Sequence, residues 1–344
     1  MARMNSQKDI RLAAAAKSKS FRIVYEYFAH DSYDNVFTSS ARRLSTAGQT
    51  SLMLDPGKAK GDAFRALQEA FNITLPAKSA PTKNTSLFRS HFLEAAYGQG
   101  KEINEITQLN SSALVALMCF YPVSNTNPML LDVTANGETH RLKLTSLVLE
   151  KENPVYSANH PSSMDIALYG EDADSGEPVV LFLESKFGEY LTPGDYDSLS
   201  GKSYVPDYAI VKEKQDLLHC LEDVRFKAGK NGASVKGGDH YNDGIKQMVS
   251  HFIGANNSYE LNVEGRKVYL GSILFDFSGL VEDGKALLDD YRGCCQGIAR
   301  ILNAMASDKN PDLRVLDDAF TYQEFFSKVG EFRMDEDVKE FYKL

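Results

Sequence analysis

The sequence predicts an α/β protein in which a mixed central β-sheet is flanked by helices. Three observations support this: a strand–turn–strand pattern over residues 162–191, amphipathic helical patterns before and after it, and an apolar run over 267–277 typical of a buried strand. The chain has 344 residues, enough for about two domains. We expect a largely helical N-terminal extension over 1–84 and an α/β core over 85–344.

The elements before the hairpin are mostly helical. Periodicity predicts helices over 9–30 and 62–71, with turn-rich sequence between them, and a Pro-, Ser- and Thr-rich boundary over 76–85. Helices over 86–97 and 113–121 follow. The second is apolar on every side and is preceded by a cap signal, Asn110-Ser111-Ser112. Strands are expected over 129–134 and 141–152, and the spacing of leucines in the second allows a bulge.

The elements after the hairpin alternate between helix and strand. A polar loop over 192–208 leads to a helical pattern over 210–226 and a Gly- and Lys-rich loop over 227–239. The remaining predicted elements are a helix over 241–254, a strand over 267–277, a helix over 287–305, a short strand over 313–316 and a last helix over 322–329.

The register of the hairpin decides where its charged residues lie. If Asp165 is opposite Glu184, Tyr169 faces Val180 and the turn centres on Asp174-Ser175, the most turn-prone part of the loop. Because side chains alternate along a strand, both carboxylates then lie on one face. Lys186 shares that face, and Ser185 points away.

Two carboxylates and an ammonium at the end of an apolar hairpin allow two interpretations. Like charges directly opposite each other destabilise a strand pair, and a divalent cation reverses the sign of that interaction. Oxygen ligands suit Mg²⁺, and a nearby lysine could orient or help deprotonate a metal-bound water. The alternative is a structural ion pair between Lys186 and either acid. Physical reasoning from the residues leaves both open.

Composition limits the partners and the compartment. The net charge of −9 argues against a surface that is basic throughout, but not against a local basic groove. No run approaches the roughly 18 apolar residues of a membrane helix, and the apolar stretch over 12–16 is too short for a secretory signal. The four cysteines show no metal-binding spacing. We therefore expect a cytoplasmic protein that does not enter a membrane.

An acid at the start of one strand, a hairpin turn, and Glu184-Ser185-Lys186 at the end of the next resemble the PD-(D/E)XK nuclease superfamily. A downstream helix with Gln247 is similar to a common element of that superfamily. Further stretches resemble a group of bacterial restriction-endonuclease-like proteins: Leu87-Phe88-Arg89-Ser90, Glu94-Ala95-Ala96-Tyr97-Gly98, Leu109-Asn110-Ser111-Ser112 and Glu189-Tyr190-Leu191. Met164, where the superfamily loosely keeps a proline, departs from the pattern.

The resemblance implies a restriction-endonuclease-like core and a Mg²⁺-dependent endonuclease that cleaves DNA, with Mn²⁺ as a substitute metal. Asp165, Glu184 and the carbonyl of Ser185 would bind the metal, and Lys186 would position the attacking water. Gln247 would hold a water or a phosphate. A further acid often joins such sites; Glu150 is the first choice, with Glu152 and Glu105 as rivals. Double-strand cleavage would suggest a homodimer.

Several alternatives remain beside the nuclease hypothesis. The chain could be a catalytically inactive nuclease-fold protein that binds nucleic acid or a protein, or an unrelated α/β scaffold in which Lys186 pairs with Glu184. His251 is expected to be a packing or surface residue rather than a catalyst. Asp172-Ala173-Asp174-Ser175-Gly176 resembles the opening of a calcium loop, but Leu183 stands where that loop needs an acid.

Overall fold

The computed structural model describes residues 37–39, 52–54, 83–97, 106, 111–155, 161–191, 224–226, 233–235, 243–280 and 284–344. The helices predicted over 9–30 and 62–71, and the loop predicted over 192–208, lie outside these ranges, as does Glu105. Within the predicted N-terminal extension, the described residues form an antiparallel pair, β1 (Phe37–Ser39) and β2 (Leu52–Leu54).

The core region alternates helices and strands. In chain order its elements are α1 (Lys83–Tyr97), α2 (Ser112–Phe120), β3 (Met129–Ala135), β4 (Glu138–Pro154), β5 (Pro161–Asp172), β6 (Pro178–Lys186), β7 (Val224–Phe226), β8 (Ala233–Val235), α3 (Asp243–Asn256), α4 (Tyr259–Asn262), β9 (Lys267–Leu274), α5 (Gly284–Lys309), β10 (Leu313–Val315), β11 (Phe320–Thr321), α6 (Tyr322–Lys328) and α7 (Glu336–Tyr342). None of the helices in the described ranges is long and apolar enough to cross a membrane.

Seven described strands of the core, β3 to β6 and β9 to β11, form one mixed sheet, and β7 and β8 pair with each other. Strands β3 to β6 make an antiparallel meander, β9 lies parallel to β6, and β10 and β11 both pair in parallel with β9. The sheet curls, because the free edge of β3 is bridged to the chain beyond β10: Ala135 pairs with Leu316 and Leu130 with Gly330. The predicted mixed sheet flanked by helices is confirmed.

Two apolar clusters, one on each face of the sheet, hold the helices in place. The first cluster includes α2, whose residues from Ala113 to Phe120 are all buried, together with residues of α1, α6 and α7. The second cluster packs Met248, Val249 and Phe252 of α3 and the middle of α5 against the opposite face. A helix buried on every side is what the uniformly apolar sequence of α2 predicts, and its predicted cap is present: Ser111 accepts from the Leu114 N–H.

The structure corrects the sequence prediction at three places. Residues 224–226, predicted as the end of a helix, are a strand paired with 233–235, within the predicted Gly- and Lys-rich loop. Strand β9 ends at Leu274 rather than at residue 277. The helix over 322–328 is not the last, because α7 follows it; Asp335 caps α7, and two acids occupy its first turn.

Gly170 lies where the β4–β5 register shifts between Leu144 and Ser146. A Cβ at Gly170 would overlap the carbonyl oxygen of Lys143 and lie 2.8 Å from the Cα of Leu144. Both are backbone atoms of the neighbouring strand and cannot move aside alone. The bulge therefore requires glycine here.

We predict that Gly170→Ala destabilises the protein by about 3 kcal/mol or more, because a backbone clash in a packed sheet cannot relax locally. Gly293→Ala is the matched control, since Gly293 lies within α5 with open space around its Cα. That change should stabilise the protein by about 1 kcal/mol through helix propensity. Urea unfolding measures both, and equal stabilities of the two variants would contradict the prediction.

Candidate functional site

The predicted register of the β5–β6 hairpin is confirmed. Tyr169 pairs with Val180, and the last regular pair before the charged end is Ile166 with Leu183. Beyond this pair, the side chains of β6 also alternate between the two faces of the sheet as predicted. Lys186 reaches the carboxylate of Glu184, whereas the hydroxyl of Ser185 lies on the other face and meets the hydroxyl of Tyr322 at 2.8 Å.

Glu184 is a buried anion with a partner at each oxygen. The residue is only 3% exposed and lies on β6, which is flanked by β5 and β9. Oε1 lies 2.7 Å from Nζ of Lys186, and Oε2 lies 2.7 Å from Nε2 of His251. Burial alone would raise the pKa of Glu184, but Lys186 and His251 lower it from its ordinary value of 4.5 to about 2.

Asp165 is in the opposite electrostatic situation. Its Oδ2 accepts the backbone N–H of Ser185 at 2.7 Å, just where the regular ladder ends. Burial, and then the negative charges of Glu184 and Glu150, raise the pKa of Asp165 well above its ordinary value of 3.8; Lys186 and the Ser185 N–H oppose this only in part. Two neighbouring carboxyl groups thus have pKa values pushed in opposite directions, a pattern common at catalytic sites.

Glu150 completes a row of carboxylates across three adjacent strands. The pairs on either side, Leu149 with Ile166 and Lys151 with Met164, leave Glu150 opposite Asp165. Its backbone is left-handed, with φ of 53°, which is rare for a residue with a side chain. Its carboxylate accepts from the hydroxyl of Ser163 at 2.9 Å. Of its rivals, Glu152 is exposed on the same strand, and Glu105 is outside the described part of the chain.

The left-handed residue marks the point where β4 and β5 rotate about their own axes, so that the sheet face on which their side chains lie changes. Ile166 belongs to the first apolar cluster, but Met164 belongs to the second. Residues two apart in a regular strand share a face, so β5 rotates at Asp165. Leu149 of β4 likewise lies in the first cluster, and Val155, the residue that follows β4, lies in the second. The expectation that Asp165 sits in a regular, alternating strand is therefore wrong.

One further acid and two hydroxyls fix the backbone around the row. Glu94 of α1 accepts the N–H of Leu149 at 3.1 Å, next to Glu150. The hydroxyl of Ser185 donates to the carbonyl of Ser112 at 3.2 Å and, having one hydrogen, accepts from Tyr322. Sequence reasoning had not assigned these contacts, because they join elements far apart in the chain.

The structure places Gln247 and His251 one turn apart on α3. Gln247 is partly buried, and its Oε1 has no hydrogen-bond partner among the residues described. His251, four residues later on the same side of the helix, reaches Glu184. His251 is buried, which fits the expected packing role, but its bond to Glu184 is a contact that the sequence analysis missed. The available signal for a buried contact was the position of His251 beside Phe252, on the apolar side of α3.

The donor set of the row can be tested against a metal ion. Within the described ranges, no three His, Cys, Asp or Glu side chains are grouped so that they could hold one. Nevertheless the carboxylates of Glu150, Asp165 and Glu184 supply the hard oxygen ligands that Mg²⁺ prefers. Burial and the negative charges of Glu184 and Glu150 raise the pKa of Asp165, and Lys186 offsets this only in part. These residues fit a hard divalent cation in ligand type and in charge.

The chain matches no protein-family model, no curated protein and no solved structure.

We predict that Lys186→Met destabilises the protein by about 3 kcal/mol at pH 7, since it removes a partner of a buried anion. Because the folded-state pKa of Glu184 is depressed, the contribution of Lys186 is present above pH 4.5 and is lost as the pH falls towards about 2. Urea unfolding of both proteins across this range measures the difference.

Lys143→Met is the matched control for that change. Lys143 pairs with Glu171 at 3.0 Å, but the two side chains are 45% and 48% exposed. We expect this control to lose no more than about 0.5 kcal/mol. Equal losses in the two variants at pH 7 would show that Glu184 does not depend on Lys186.

Proposed function

We propose that this protein is a Mg²⁺-dependent endonuclease that hydrolyses phosphodiester bonds in DNA, and that its curled sheet is a restriction-endonuclease-like core. The observation that carries the proposal is the row Glu150, Asp165 and Glu184 on adjacent strands, with Lys186 bound to its last member. The resemblance of the Asp165 and Glu184-Ser185-Lys186 pattern to PD-(D/E)XK nucleases supports it.

In this proposal the row holds the metal. Asp165 and Glu184 are the principal ligands, with Glu150 as the further acid and the carbonyl of Ser185 as a backbone ligand. A bound Mg²⁺ would lower the pKa of a water and stabilise charge on the scissile phosphate. The pattern of pKa shifts agrees with this role: Glu184 is held as an anion, whereas burial and the neighbouring carboxylates raise the pKa of Asp165 more than Lys186 lowers it.

Lys186 and Gln247 act on the reacting groups rather than on the metal. The Lys186 ammonium, 2.7 Å from Glu184, is close enough to the row to position the attacking water. Gln247 offers a buried amide oxygen without a partner in the described structure, on the same side of α3 as His251. This oxygen could accept from a water or from a hydrogen-bonding group of the substrate complex.

The biological setting belongs to the same proposal. We infer a cytoplasmic role in restriction, another form of defence, or DNA processing, because the resemblance is to bacterial restriction-endonuclease-like proteins. The net charge of −9 implies that DNA would be bound along a local groove rather than over the whole surface.

One specific observation favours a second candidate, an inactive nuclease-fold protein that binds nucleic acid or another protein. Both oxygens of Glu184 are already bound, by Lys186 and His251, so the row includes a satisfied structural ion pair. Such a protein would bind DNA or a partner without cleaving it.

We predict that the wild-type protein cleaves plasmid DNA with Mg²⁺ or Mn²⁺ and not with EDTA. Lys186→Met should lower the rate at least about 100-fold, the lower range for groups that act on proton transfer. Asp165→Asn removes a metal ligand and should lower the rate at least as much, because the bound metal supplies the charge stabilisation. Gel electrophoresis of plasmid, linear DNA and RNA substrates measures the rate and the substrate class.

The matched control for these variants is Glu177→Gln. Glu177 is an exposed carboxylate at the other end of the same hairpin, where it pairs with Lys267. It should cleave at the wild-type rate. Absence of cleavage with either metal, or cleavage unchanged in both site variants, would refute the proposed nuclease activity. DNA binding without cleavage would support the second candidate.

We further predict that the protein acts as a homodimer on double-stranded DNA, because one row of this kind cuts one strand. Sedimentation of the protein with a short duplex in Ca²⁺ should give a complex of two protomers per duplex. A complex with a single protomer would contradict the dimer, without affecting the proposed chemistry.

A further inference from the structure

A chain of hydrogen bonds connects the metal-site acid Glu184 to helix α3 and back to β5. Nε2 of His251 lies 2.7 Å from Oε2 of Glu184, and Nδ1 of the same ring meets the hydroxyl of Ser162. All three residues are buried, with exposed fractions of 3% for Glu184, 4% for His251 and 5% for Ser162. The contact between His251 and Glu184 is therefore shielded from water.

The chemistry of the three groups fixes the orientation of the imidazole. A carboxylate oxygen can only accept, so Nε2 carries the hydrogen and His251 donates to Glu184. In the neutral ring Nδ1 is then the acceptor, and the Ser162 hydroxyl donates to it. A ring held at both nitrogens cannot flip or rotate without leaving a buried polar group unsatisfied, which is costly.

The path of the backbone explains why this contact forms. Because β5 turns over at Asp165, Ser162 lies towards α3 rather than towards the first apolar cluster. Helix α3 also approaches the strands closely: a Cβ at Gly254 would lie 3.2 Å from the Cβ of Ser162 and 3.1 Å from that of Asn153. Glycine at this position, three residues after His251, lets the helix bring the imidazole within reach of Glu184.

We propose that His251 is a positioning residue for Glu184, fixing one carboxylate oxygen so that the other is directed to the side of Lys186 and the metal. The inference rests on the proposed function, because it treats Glu184 as a metal ligand. Glu184 would then bind the ion through Oε1 alone. Outer partners that orient a metal ligand typically contribute about 10–100-fold in metal affinity or activity.

The test compares His251→Leu with His251→Gln. Leucine fills the space and removes both ring bonds, whereas the glutamine amide can place a donor near the position of Nε2. We expect His251→Leu to weaken Mn²⁺ binding, measured by electron paramagnetic resonance on DNA-free protein, about 10–100-fold. The same variant should lower kcat and leave KM for DNA unchanged, and His251→Gln should restore most of the affinity.

Two further measurements keep the test independent of folding and of cleavage. Ser162→Ala leaves the imidazole in place but removes its second bond, so we expect it to weaken Mn²⁺ binding by less than His251→Leu does. In the wild type, ¹⁵N spectra of the ring should show the hydrogen on Nε2 without any metal or substrate. A ring with its hydrogen on Nδ1 alone would overturn the proposal.

The matched control is His140→Leu. His140 is a partly buried histidine at the other end of β4. The His140→Leu protein should bind Mn²⁺ with the affinity of the wild type. Wild-type affinity in folded His251→Leu overturns the positioning role, as does a His251→Gln protein that binds Mn²⁺ no better than His251→Leu. If the wild type binds Mn²⁺ and His251→Leu loses it, but no DNA is cleaved, the positioning role stands and the proposed nuclease activity fails.

Discussion

The buried charge of Glu184 is the constraint on which this region of the structure depends. An ionised carboxylate between two internal strands is costly unless it is paired and hydrogen-bonded. Lys186, from the same strand, supplies the opposite charge, and His251, from α3, supplies a donor at the second oxygen. The position of α3 against the sheet is therefore set by a polar contact as well as by the apolar side chains of the second cluster.

The rotation of β4 and β5 at Glu150 and Asp165 makes that contact possible. At Glu150 and Asp165 the two strands leave one apolar cluster and join the other, so that the strand ends cover α3 and α4. Ser162 thereby reaches His251, and Lys151 reaches Glu260 of α4 at 2.8 Å. The same backbone irregularity thus places the three carboxylates in a row and brings the supporting groups to their positions. The geometry of the fold and that of the site have one origin.

Local patterns were enough to predict the hairpin and its register. The apolar strands alternate cleanly, and Asp174-Ser175 is a strong turn signal, so the facing of Tyr169 and Val180 followed from the sequence. The rotation of the two strands could not be predicted, because it needs a left-handed backbone at Glu150, and glutamate rarely adopts that conformation. The bond between Glu184 and His251 joins residues 67 positions apart, and helix periodicity gives no information about such contacts.

The number of acids favours a metal site over a structural ion pair. One carboxylate is enough to pair with Lys186, and Glu184 fills that role with a lowered pKa. A purely structural pair gives no reason for Asp165 and Glu150 to stand beside it, where burial and then the charges of Glu184 and Glu150 raise the pKa of Asp165. Buried repulsion of this kind is destabilising and is characteristic of sites where a cation or a substrate supplies the missing charge. Asp165 and Glu150, more than the pair of Glu184 with Lys186, are the part of the row that needs a function.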